Sequence, residues 1–279
     1  MSELPFSIKR AANRYETIEI EGIELRPVLV KEYDNFLIAR PALEVLQQSF
    51  PVRFLRMPLL SALYQMDFES ASNGEIPTGL FSRALLCLAL SLRLGEGMDM
   101  ATRLGMFQVV ADREKPEKLI GLRFVDNDGQ TKEISPALFQ RIRPIIAAQN
   151  GVKIESDKAD PDLVQAEKDL AEMNGVSLNA TVEDLISGIA ALTGVDEREI
   201  DEWPILKLDR RRLSFQRILD YMICGFGQVN GTTWKGGNPH PSPFFDRSED
   251  GQFGAHLALG DFAGGAGERA VASAGQRVS

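Results

Sequence analysis

The sequence predicts a mainly α fold of the α+β kind: a helical bundle with a short N-terminal β-hairpin and a small central antiparallel β-meander. Three observations predict it. Most of the chain carries apolar residues at helical spacing, residues 15–30 alternate apolar and polar, and residues 104–134 hold three β-like runs between turn signals. A chain of 279 residues can build one large core or two modest ones. The expected organisation is a hairpin plus helical domain over 1–112, a hairpin plus helical domain over 113–247, and a flexible Gly/Ala-rich tail over 248–279.

In YETIEIEGIELRPVLV, the apolar positions Ile18, Ile20, Ile23 and Leu25 flank Glu21-Gly22, which suits two short strands and a tight turn. From Lys31 the period changes to that of a helix, bent or broken by Pro41. Pro58 fits the first turn of a helix through LLSALYQM, and the polar stretch from Glu69 to Thr78 reads as a loop. PTGLFSRALLCLALSLRLG is apolar almost all round and ends at Gly95, so it is expected to be buried in the core or against a partner. LGMFQVVAD, LIGLRFVD and QTKEIS read as three strands, the last two joined by a turn at Asn127-Asp128-Gly129. Ser135-Pro136 opens a helix through PALFQRIRPIIAAQNG. Residues 151–180 are polar and acid-rich, with one helical stretch through PDLVQAEKDLAEM, as a mobile arm or an exposed helix. Thr181 and Asp184 form a capping box for a helix closed by Gly194, and Asp196 caps a short turn. The last long helix runs from Pro204 to Cys224.

Composition bounds the chemistry. A net charge of -9 and a pI near 5.0 disfavour general nucleic-acid binding, which needs a basic field. Arg210, Arg211 and Arg212 form the densest local basic cluster and are read first as a solvated helix face. Cys87 and Cys224 lie in apolar helical runs and read as small buried hydrophobes of a reducing compartment. No secretion signal or membrane span is apparent, so a cytoplasmic protein is expected. Asp126-Asn127-Asp128-Gly129 puts Gly fourth where a calcium loop needs it sixth. His240 stands between two prolines without a second metal-ligand type beside it, and no nucleophile elbow accompanies it. His256 lies in the Gly/Ala-rich tail. No catalytic, cofactor or metal site is expected. Trp234 is read as a loop anchor, or as a filler of a partner's pocket together with His240, Phe244 and Phe245.

The landmarks taken in order resemble a family, the tail assembly chaperone-like proteins encoded beside the tape-measure gene in siphophage and prophage tail modules. ELRPVLVKEYDNFLIARPALEVL is similar to that family's opening, MPLLSALYQM to its Met-Ser-Tyr-Leu type helix, and ALFQRIRPIIAAQNG to its Ile-Ile…Gln-Asn signature. TVEDLISGIAALTGVDEREIDEWPILKLDRRRLSFQRI resembles its acidic helix, small-residue loop and long last helix, and the Trp-Lys-Gly-Gly-Asn-Pro-His-Pro stretch resembles its end. The resemblance covers roughly residues 20–247. It implies a non-enzymatic protein of the host cytoplasm that coats the tape-measure protein during tail morphogenesis. It also implies contact with the tail tube protein and self-association as further options, with no nucleic-acid or membrane partner. A structural tail or baseplate-proximal subunit is the alternative, and a helical regulator touching nucleic acid through Arg210–Arg212 a third.

Overall fold

The computed structural model describes residues 4–154, residue 166 and residues 181–229. The expected exposed helix or arm in 155–180 and the Gly/Ala-rich tail lie outside the described residues, apart from the isolated helical residue Ala166. The described chain is mainly α, with a two-stranded hairpin and a three-stranded antiparallel meander, as the sequence predicts. It divides into two compact units. The first comprises Met1–Gln165 with Asp196–Leu208, and the second Ala166–Val195 with Asp209–Ser279.

The first unit opens with helix α1 (Phe6–Asn13), which sequence periodicity did not reveal because only Ala12 of its eight residues is buried. The hairpin follows, with β1 (Ile18–Ile20) and β2 (Ile23–Leu25) in the register Ile18↔Leu25, Glu19↔Glu24, Ile20↔Ile23. Its two-residue turn takes positive φ at both Glu21 (50°) and Gly22 (75°), as the twist of a tight hairpin requires. The predicted break at Pro41 is real: α2 (Tyr33–Ala39) ends just before it, and Pro41 opens α3 (Pro41–Glu44).

Helix α4 (Leu59–Ser72) runs three residues beyond Glu69, into the stretch expected to be a loop. The Ser72 hydroxyl donates to the Phe68 carbonyl (2.8 Å) on that extra turn. Helix α5 (Leu80–Leu92) is buried over Phe81 and every residue from Ala84 to Leu92. It stops before the expected Gly95: Arg93 takes the left-handed conformation instead, and the Leu94 amide returns to the Ala89 carbonyl (2.9 Å). α6 (Met100–Gly105) occupies the start of the first expected strand, with Asp99 capping it through Thr102, so β3 is only Gln108–Ala111.

The meander is completed by β4 (Leu119–Val125) and β5 (Thr131–Ile134), with Arg123 facing both Gln108 and Glu133. Their turn is locked by Asp126, whose Oδ1 accepts the amides of Asp128 (3.0 Å) and Gln130 (2.7 Å). Gly129 supplies the positive φ of 76°. α7 (Pro136–Gln149) starts on Ser135, whose hydroxyl accepts the Leu138 amide.

One core joins Ala12, Leu25, Phe54, Leu63, Leu88, Leu122, Phe139 and Ile146. The boundary expected between 112 and 113 is therefore corrected. β4, β5 and α7 bury their apolar faces in the same core as the N-terminal helices, because a three-stranded sheet with one apolar face needs a partner layer.

α7 also clamps the hairpin. Gln149 donates to the carbonyls of Glu16 and Leu25 (both 3.0 Å), and the Asn150 Oδ1 accepts the buried Val28 amide (2.9 Å). The Gln-Asn signature thus does structural work in the first unit. Asn150→Ala leaves that amide without a partner and should lower stability by about 1–3 kcal/mol. Urea denaturation should show the midpoint fall with an unchanged slope.

Candidate functional site

Two places in the described chain stand out beside single exposed apolar residues such as Phe6, Val52 and Ile76. One is the long C-terminal helix, the other a cleft at the hairpin.

After α8 (Val182–Thr193) and α9 (Glu197–Asp201), the chain enters α10 (Ile205–Val229). α8 has the full capping box expected of Thr181 and Asp184 and ends at Gly194 with φ 70°. Those amide and hydroxyl bonds from Thr181 hold the Asp184 carboxyl below its usual range. Residues before α10 are fastened within the first unit. The Val30 amide donates to the Trp203 carbonyl and the Ile205 amide to the Val28 carbonyl (both 2.9 Å), with Leu29 bridged to Pro204. Trp203 is buried, and the Lys207 ammonium sits 3.7 Å over its ring, a cation–π contact.

α10 extends beyond the expected end at Cys224 to Val229. Its first residues, Ile205, Leu206 and Leu208, are buried. The helix then changes character: Leu219, Met222 and Phe226 are about half exposed or more, at 51%, 47% and 63%. Their spacing of three and four residues places them on one face, and Phe215, half-buried, precedes them on the same row.

The three arginines do not share a face. Consecutive helical positions are about 100° apart, so Arg210, Arg211 and Arg212 fan around the helix. Arg212 is moreover bonded to Asp209 (2.7 and 3.1 Å), and the Arg210 carbonyl accepts the Ser214 hydroxyl. Trp234, His240, Phe244 and Phe245 lie outside the described residues.

In the first unit, an open cleft of about 220 Å³ lies between the β1–β2 hairpin and the β4–β5 turn. Ile23, Leu92, Leu94 and Phe124 contribute its apolar side chains, while Glu19, Glu24 and Asp128 line it with Arg26 and Lys132. Sequence reading missed it. The signal was in IEIEGIEL, where a two-residue turn necessarily sets Glu19 opposite Glu24.

Beside the Trp203 strap lies a charge cluster. Arg103, 2% exposed, donates through Nε to the carbonyls of Gly95 and Met98 and through its terminal nitrogens to Glu32. Lys31 reaches both Glu96 (2.6 Å) and Glu202 (2.7 Å). Bonds to Glu202 and then Glu96 raise the Lys31 pKa, while the Lys31 ammonium holds the Glu96 carboxyl below its ordinary 4.5. Cys87 is fully buried, and that burial pushes its thiol up to about 12, so it stays a neutral core group. Among the described residues no group of three His, Cys, Asp or Glu could hold a metal ion, and no helix is long and apolar enough to cross a membrane.

No family model, curated protein or solved structure matches the chain.

A depressed carboxyl contributes stability above its ordinary pKa and loses it as pH falls through the folded value. Glu96→Gln should therefore flatten the loss of stability below pH 4.5. At neutral pH its cost should be only about 0.2–1 kcal/mol, since both partners are partly solvated. Thermal melts of both proteins between neutral and acidic pH measure this.

Proposed function

We propose that the chain is a non-enzymatic phage tail assembly protein, a chaperone that coats the tape-measure protein during tail morphogenesis. The observation that carries the reading is the exposed apolar row Leu219, Met222 and Phe226 on α10. The landmark resemblance over residues 20–247 supplies the identity of the partner. A tape-measure protein must keep long apolar helices in solution before tube subunits enclose them, and helix-on-helix contact is the mode such a row offers. Anchors of three and four residue spacing cover an apolar stripe on a partner helix, while a net charge of -9 keeps the covered complex dispersed. The first unit holds its own core, and its exposed apolar residues, such as Phe6, Val52 and Ile76, are spread over separate elements and not set in one helical row.

Co-expression with a tape-measure protein encoded beside it, followed by affinity pull-down and a solubility assay, tests the reading. The tape-measure protein should become soluble and co-elute. Met222→Glu with Phe226→Glu should abolish co-elution, yet change stability by no more than about 0.5 kcal/mol, because both positions are exposed. A tape-measure protein that stays insoluble beside the well-folded wild-type chain overturns the chaperone reading. The presence of this chain in purified particles would instead favour a structural tail subunit.

A further inference from the structure

The segment Asp196–Leu208 belongs to the first unit as a strap, yet it gives that unit's core a single residue. Every buried residue of the core cluster except Ile205 lies at or before Val152. The strap's other buried apolar residues, Ile200, Trp203, Leu206 and Leu208, stand outside the cluster. Its main chain is fastened to the Val28–Val30 edge, where the Val30 amide donates to the Trp203 carbonyl and the Ile205 amide to the Val28 carbonyl. Glu202 also meets Lys31, but both side chains are partly solvated, so that ion pair adds little.

Trp203 makes the closed strap imperfect. The residue is 6% exposed, yet its indole Nε1 has no hydrogen-bond partner among the described residues. In an open strap that N–H bonds water. A buried donor left unmade disfavours the closed form by roughly five- to a hundredfold, against the gain from burying the ring. The Lys207 ammonium over the ring belongs to the strap itself and does not tie it to the body. The edge beneath is held differently. The Val28 amide bonds the Asn150 Oδ1 on the far side of α7's end, a bond that does not involve the strap. Segments fastened in this way open locally, at a free energy below that of global unfolding.

We propose that the strap is a detachable latch, which opens as a unit while the α5 core and the Val28–Asn150 bond stay intact. Opening bares the Trp203 ring and frees the Val28 carbonyl and the Val30 amide. The latch thus keeps in reserve an aromatic group of the kind that anchors protein contacts. It rests on bonds within the first unit and not on the tail-assembly reading, so either proposal can fail alone.

Native-state hydrogen exchange of the full-length protein, followed amide by amide in rising sub-denaturing urea, tests it. The Val30 and Ile205 amides report the strap, the Val28 amide the edge beneath it, and the Leu88 amide the core. After correction for intrinsic rates, Val30 and Ile205 should exchange together, at least about tenfold faster than Val28 and Leu88. Their shared rate should also depend less steeply on urea, because a local opening exposes less surface. Trp203→Ala should speed both strap amides by roughly tenfold or more, and Glu202→Gln by no more than about fivefold. Neither change should alter Val28 or Leu88. Glu202 is exposed, so its variant carries the test even if Trp203→Ala does not fold. Val30 and Ile205 exchanging at the rate of Val28 and Leu88 in the wild type overturns the latch, as does a variant that speeds all four amides equally. The strap would then belong to the same cooperative unit as the core.

Discussion

Helix α5 has no polar face beyond its first turn, and that single fact organises the first unit. An amphipathic helix can lie on a surface, but a helix buried from Ala84 to Leu92 must be covered on every side. α2, α3, α4, α6 and β2 all pack against it. The hairpin is stitched to it as well, through the Arg26 amide and the Ser91 carbonyl (2.8 Å). Loss of any covering element leaves apolar surface at roughly 25 cal/mol per Å² exposed to water, so the neighbours are held in place by the same requirement.

Covering a helix completely brings irregular backbone into the interior, and polar side chains then satisfy it. Arg143, buried on α7, donates to the carbonyls of Leu43 and Val45 where α3 ends. Gln149 and Asn150 do the same for the hairpin and the segment after it, and Arg103 for the loop after α5. Each donor set is fixed in geometry, so these side chains act as rulers between elements distant in sequence. An unpaired carbonyl or amide at any of these points would cost about as much as the bond contributes, or more.

The fold was legible wherever one period dominated. α5, α7, the hairpin and the β4–β5 turn follow from spacing, from Ser135 and Pro136, and from Gly129. What escaped had weak or contrary local signals. α1 buries one residue of eight. α6 begins at an Asp99 cap inside a stretch whose later residues read as strand. The single core across 112/113 escaped because β4 carries a buried face whose partner layer sequence spacing cannot name. The candidate site was legible only in part. α10 was expected, yet the exposure of Leu219, Met222 and Phe226 cannot be read from helical spacing, which marks an apolar row without saying whether it is covered. The arginine triplet looks like a patch in one-letter code and separates on a helix, because sequence neighbours are not spatial neighbours there. The cleft required pairing two glutamates across a turn before any chemistry could be seen.

The strap from Asp196 to Leu208 gives the first unit a timetable. Lys31 and Glu202 are bonded although 171 residues separate them, and Trp203 fills its place beside Val30 only once the strap has been made. At roughly 5–20 residues per second of synthesis, that delay is on the order of ten to thirty seconds. Late in that interval, once α7 has been made, Leu29 and Val30 still wait with their strap-facing backbone groups unanswered, while every buried residue of the core cluster except Ile205 is already in the chain. The nascent chain therefore passes through a stage in which its body is folded and its seat for Trp203 is open to whatever else in the cell can fill it.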